Sequence, residues 1–189
     1  MKDIRQIVDL ILGRARGALH SLGSSIRFRR LGRHLRLYGS RHISGTDLCL
    51  GDNCWIEAVD AYKGTPYEPR IQIGQSSMFG NNVHISAVKS ITIGRDCLFG
   101  SNIYVGDHSH GSTRPGLLDS DVPPAQRPLD DISEIVVGER VWVGDGVVIL
   151  AGSRIADGSI IGANSVVKGV FTSPAVIAGA PARQIRVLR

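Results

Sequence analysis

The sequence predicts a parallel β-helix. Three observations carry that reading: a six-residue repeat, an abundance of glycine in an otherwise apolar chain, and a scarcity of aromatics. Apolar–small pairs fall at Ile73-Gly74, Phe79-Gly80 and Ile85-Ser86, then after a two-residue slip at Ile93-Gly94, Phe99-Gly100 and Val105-Gly106. Beyond an interruption the phase resumes at Val137-Gly138 and holds through Val143, Ile149, Ile155 and Ile161 to Val167. In a β-helix each hexad is a short strand and a turn, and three hexads close one triangular coil. The leading aliphatic side chain then points inward onto its counterpart one coil away. The 23 glycines suit a chain that turns this often, and with aromatics at 5% the core must be aliphatic. A sandwich would show hairpin signals at wider spacing and no fixed phase.

The 189 residues suffice for one domain with a small appendage. Residues 1–42 form a lead-in, and Ile4, Ile7, Val8, Ile11 and Leu12 lie at helical spacing within it. This segment carries 10 Lys/Arg against Asp3 and Asp9, a net of +8, whereas the whole chain is only +5. The rest is therefore acidic on balance. Two compatible readings of the lead-in follow. It caps the open end of the coil, as any solenoid requires, or its arginines touch an anionic membrane surface. Nucleic acid is disfavoured, because aromatics for base stacking are sparse.

The coil is expected over 43–172, with a short excursion at 60–70, a long one at 107–134, and a tail at 173–189. A loop as long as 107–134 inside a compact domain marks function or disorder. It begins at Asp107-His108-Ser109-His110, so the functional reading is preferred. Cys49, Cys54 and Cys97 form no CxxC pair and read as small buried hydrophobes in a reducing compartment. No stretch approaches about 20 apolar residues, and no secretory leader is evident, so a cytoplasmic protein is expected.

These stretches together resemble the hexapeptide-repeat acyltransferases of the sugar O-acetyltransferase type, the galactoside, maltose and polysaccharide acetyltransferases. The resemblance rests on the run from Phe99 to His110, the block from Ile135 to Gly152 around Trp142-Val143-Gly144, the run Ile161 to Lys168, and the tail Ala178-Gly179-Ala180-Pro181-Ala182-Arg183. It implies a left-handed parallel β-helix, a homotrimer with active sites between neighbouring subunits, and acetyl-CoA lying along the coil as acyl donor, with no metal. It also implies transfer to a sugar hydroxyl in surface polysaccharide biosynthesis. N-acetylation of an amino sugar, or a non-catalytic trimeric scaffold, are the alternatives.

Transfer from a thioester to an alcohol needs a base for the hydroxyl proton, and histidine has a suitable pKa. The resemblance maps that base onto His108, flanked by Asp107 and His110. On an extended segment His108 and His110 share a face while Asp107 points away. His110 is thus the expected companion, and the two histidines could exchange roles. Asn102 matches a position that contacts the acceptor or steadies a turn. Trp142 and Gly144 match positions that line the pantetheine arm, and Ala151 and Ala163 are small where that chain must pass close to the coil. Lys168, Arg183 and Arg186 fall where the family places cations near the CoA phosphates. The family's usual Thr before the Lys is Val167 here, which removes one polar contact. A zinc site from His84, His108 and His110, as in β-helical carbonic anhydrases, is disfavoured by ligand spacing.

Overall fold

In the computed structural model the described residues are 4–22, 24–112, 114–117 and 120–188, the side chains of residues 5 and 6 excepted. The chain winds through three faces of stacked parallel strands. The first face carries the start of the strand Ile43–Leu50, then Arg70–Ile73, Ser90–Ile93, Ile135–Val137, Arg154–Ile155 and Val170–Phe171. The second carries Ile26–Leu31, the end of Ile43–Leu50, then Met78–Phe79, Leu98–Phe99, Trp142–Val143, Ile160–Ile161 and Ala175–Gly179. The third carries Arg36–Tyr38, Trp55–Ala58, His84–Ala87, Tyr104–Gly106, Val148–Leu150 and Val166–Val167.

The hexad phase explains the register. Ile73, Ile93, Val137 and Ile155 stack in one column, and Phe79, Phe99, Val143, Ile161 and Ile177 in a second. Ile56, Ile85, Val105, Ile149 and Val167 form the third. None of these side chains is more than 4% exposed. Each such burial stabilises the coil by about 1.5–3 kcal/mol, so the columns are what hold it together. Corner residues also recur. At the corner between the second and third faces Asn53, Asn82, Asn102 and Asn164 all take positive φ of 57–58°, a conformation that asparagine tolerates better than most side chains.

The coil starts earlier than residue 43. Ile26, Phe28 and Leu31 point inward from a strand parallel to Ile43–Leu50, and Arg36–Tyr38 pairs with Trp55–Ala58. In this first turn the Leu31-Gly32 pair repeats the aliphatic–glycine step, with Gly32 set against Gly51 one coil on, but arginines occupy the outward positions and the register shifts on either side of Phe28. Helix α1, Ile4–Ser21, lies on Ile26–Leu31 and covers that end. At the other end Ala175–Gly179 folds back antiparallel on Ala182–Val187. Both excursions leave from the corner between the third and first faces. The long one opens with Ser109–His110 paired antiparallel to Leu129–Asp130.

Candidate active site

Where Tyr104–Gly106 ends, the chain bends instead of continuing extended, and Asp107 turns inward to 0% exposure. Its carboxylate is drawn in by three backbone donors from the coil beneath. Oδ1 accepts from Val88 N at 2.9 Å, and Oδ2 accepts from Lys89 N and Ser90 N at 2.8 Å each. Oδ1 also stands 3.0 Å from His108 Nδ1. A carboxylate so placed can only accept, so the His108 proton belongs on Nδ1 and the lone pair on Nε2. His108 keeps only 9% of its side-chain surface. A histidine with fixed tautomer and orientation and an acceptor at Nε2 is a general base in form.

This corrects the expected partnership. His110 is exposed and faces elsewhere, with Nδ1 3.3 Å from the Tyr62 hydroxyl, which in turn donates to the Ala125 carbonyl. Asp107 is the companion of His108, because the bend at the corner overrides the alternation of an extended strand. The Tyr62 contact joins the two excursions.

The outer side of the third face holds polar groups beside this corner that the sequence reading did not assign. Trp55, His84 and Tyr104 are in register on successive strands. Trp55 and His84 stack with centroids 4.1 Å apart and planes at 8°, and Tyr104 meets His84 edge-on at 5.3 Å. Glu57 Oε1 accepts from Ser86 Oγ at 2.8 Å and lies 3.3 Å from His84 Nε2. Burial pushes the Glu57 carboxyl up, yet the hydrogen bonds from His84 and Ser86 and the charges of His84 and His108 outweigh it. The group is held below the ordinary carboxylate value. Burial, with Asp107 and Glu57 nearby, pushes the Tyr104 phenol up. The sequence offers His84 only as a metal ligand and gives no sign of Glu57. Their pairing spans an excursion, so nothing local in the sequence announces it. Among the described residues no group of three or more His, Cys, Asp or Glu converges on a metal position.

The residues expected to hold the donor fall at two different corners. Gly144 and Ala163 stack at the corner after the second face, where a Cβ on Gly144 would stand 2.7 Å from Ala163 N. Trp142, 52% exposed, precedes them in register with Leu98 and Ile160. Asn102 lies at this corner too, its Oδ1 accepting from Asn82 Nδ2 at 2.9 Å. Ala151 and Lys168 belong instead to the corner of His108, where with Arg114, Asp130, Asp131 and Gly152 they line a shallow cavity. Arg183 and Arg186 are exposed on the terminal strand, and among the described residues neither they nor Lys168 makes an ion pair with a carboxylate. Val167 is fully buried in the third column, so it offers nothing to a ligand. The small and cationic groups fit an extended thioester carrier with phosphates at one end, but one chain does not bring its two corners together.

Residues 134–169 match the bacterial transferase hexapeptide (six repeats) family. WbbJ of Escherichia coli (strain K12), whose name assigns it to O-acetyl transfer in lipopolysaccharide biosynthesis, is 43% identical over 106 residues, 55% of this chain and 54% of that protein. The chain thus spans about half the length of this relative. WcaF of the same organism, named for acetyl transfer in colanic acid biosynthesis, is 28% identical over 154 residues, 80% of this chain and 71% of that protein. The fold is shared with the hexapeptide-repeat acetyltransferase VCA0836 of Vibrio cholerae, solved with acetyl-CoA, at a TM-score of 0.59 and 24% identity over 93% of this chain and 77% of that one. With six repeats in phase and a three-faced coil to carry them, the chain has the hexapeptide-repeat fold and is similar in sequence to named acetyltransferases of polysaccharide biosynthesis.

Proposed function

We propose that this chain transfers the acetyl group of acetyl-CoA to a sugar hydroxyl, in the cytoplasm, on a precursor of a surface polysaccharide. The observation that carries the reading is the Asp107–His108 pair, which leaves Nε2 as an oriented acceptor at the mouth of the long excursion. His108 Nε2 takes the proton of the acceptor hydroxyl as its oxygen attacks the thioester carbonyl. The tetrahedral intermediate collapses with cleavage of the C–S bond, and the imidazolium returns the proton to the departing thiolate. Asp107 holds the ring and its tautomer and balances the transient imidazolium charge. Among the described residues no side chain at the corner calls for a covalent acyl-enzyme. The names of WbbJ and WcaF support a polysaccharide acceptor.

The working unit in this reading is a homotrimer. The donor groups split between two corners, which a neighbouring copy would reunite. An apolar stripe of Met78, Leu98 and Trp142 stands 39–52% exposed on the second face and suits burial against that copy. The basic segment 1–42 supports work beside an anionic membrane.

The test is release of free CoA thiol from acetyl-CoA against free, nucleotide-linked and lipid-linked sugars. Turnover should appear with one sugar class and collapse in His108→Ala. Turnover that survives the substitution removes His108 as the base. Absence of both turnover and acetyl-CoA binding removes the transferase reading.

A further inference from the structure

Helix α1 is built inside out. At about 100° per residue, Leu10, Gly13, Arg16, Gly17 and Ser21 share one side, and that side meets the coil. A Cβ on Gly17 would stand 3.0 Å from the Phe28 carbonyl oxygen, and one on Gly13 3.3 Å from that of Leu31. Arg16 Nε donates to the carbonyls of Leu31 and Gly32 at 3.1 and 3.2 Å. The opposite side holds Ile4, Ile7, Val8, Ile11, Leu12 and Leu19, exposed by 44–76%, with only Ala15 and Ala18 between them. A helix on a soluble domain turns its apolar stripe toward the core. Here the core side is glycine and the solvent side is aliphatic, so closure of the coil leaves the stripe unexplained.

Charge indicates what covers it. Arg14, Arg27 and Arg30 are exposed, and among the described residues none of them pairs with a carboxylate. A second copy would bring the same arginines to this face, whereas an anionic surface would meet them with opposite charge. No described helix is long and apolar enough to cross a membrane. An aliphatic stripe with basic flanks and no spanning length is the pattern of a helix lying in the membrane interface.

We infer that α1 is an in-plane membrane anchor, its aliphatic side submerged and Arg14, Arg27 and Arg30 set against anionic headgroups. This sharpens the membrane contact in the reading above, and its test reads binding alone, so failure of acetyl transfer does not touch it.

The full chain is sedimented at low salt with vesicles of phosphatidylcholine containing about 30% phosphatidylglycerol, and with phosphatidylcholine alone. The wild type should bind the anionic vesicles and release in high salt. Ile11→Glu with Leu19→Glu should lower the bound fraction by about tenfold or more, and Arg27→Gln with Arg30→Gln should remove the preference for the anionic lipid. All four positions are exposed, so thermal melting should be unchanged. Ile4→Glu, at the free end of the helix, is the second variant should the first pair unfold. Wild-type protein left in the supernatant overturns the inference, as does undiminished binding of the glutamate variants. If the glutamate pair shrinks the assembly in sedimentation velocity while the wild type ignores vesicles, the stripe is covered by another copy of the chain.

Discussion

Glu57 and His84 face each other across two strands of the third face, Oε1 to Nε2 at 3.3 Å, although 27 residues and an excursion separate them. Ser86 completes the contact, and the net effect holds the Glu57 carboxyl below its ordinary value. A carboxylate with a depressed folded pKa contributes stability that is present above its unfolded pKa, about 4.3, and is lost as pH falls through the folded value. Wild type should therefore exceed Glu57→Gln in denaturant stability at pH 6, with the gap closing below about pH 4. A gap that stays constant from pH 3 to pH 6 (roughly the span over which a carboxylate titrates) would show that these contacts do not favour the ionised form.

For catalysis, His108→Ala should lower kcat by about 10²–10⁴-fold while leaving the melting temperature near that of wild type. Asp107→Ala should lower both. Its loss strands three backbone donors at a buried corner, at a cost of about 3 kcal/mol or more. Thermal melts beside steady-state kinetics separate the two effects. Equal melting temperatures for both variants would contradict the capping role given to Asp107.

The split of donor groups between two corners predicts complementation. His108→Ala disables one corner, and Ala163→Trp, at an exposed position, blocks the other. Each homotrimer should be inactive. Random co-assembly at equal amounts should restore about a quarter of wild-type activity, since each interface draws one corner from each of two neighbours. No recovery in verified mixed trimers would mean that a single chain holds the whole site.

Gly17 tests the seating of α1. Its missing Cβ lets the helix reach the backbone of Phe28, so Gly17→Leu should lift α1 and reduce stability by about 1–3 kcal/mol. The same change at exposed Ala18 should be within about 0.5 kcal/mol. Similar losses at both positions would mean that the helix does not dock through its glycine side.

The columns of the coil were legible because Ile149, Ile161 and Val167 each repeat a local pattern that a linear chain displays. The first turn was not, because arginines crowd its outward positions and register shifts on either side of Phe28 break the spacing that leads to Leu31-Gly32. Periodicity located α1, but its orientation hung on Gly13 and Gly17, whose role depends on backbone that approaches from elsewhere. At the site the sequence pointed to His108 and misplaced its partner. Strand alternation puts Asp107 and His108 on opposite faces, whereas the bend at the corner, with Asp107 held by the three amides at residues 88–90 on the neighbouring coil, brings the carboxylate to the imidazole. Glu57, His84 and Tyr104 come together through inter-coil register, which the excursion at 60–70 offsets.

Stacked strands also make a length. On the third face three inter-strand steps lead from Arg36–Tyr38, beside the end that α1 covers, to Tyr104–Gly106. At about 4.8 Å per step, His108 stands roughly 14 Å along the coil from that end. For an acceptor tethered to the surface on which α1 rests, the number of coils is a ruler: it fixes the height at which a hydroxyl can be acylated. Adding or deleting one whole coil below the corner would move that height by a single step and leave the chemistry of the corner intact.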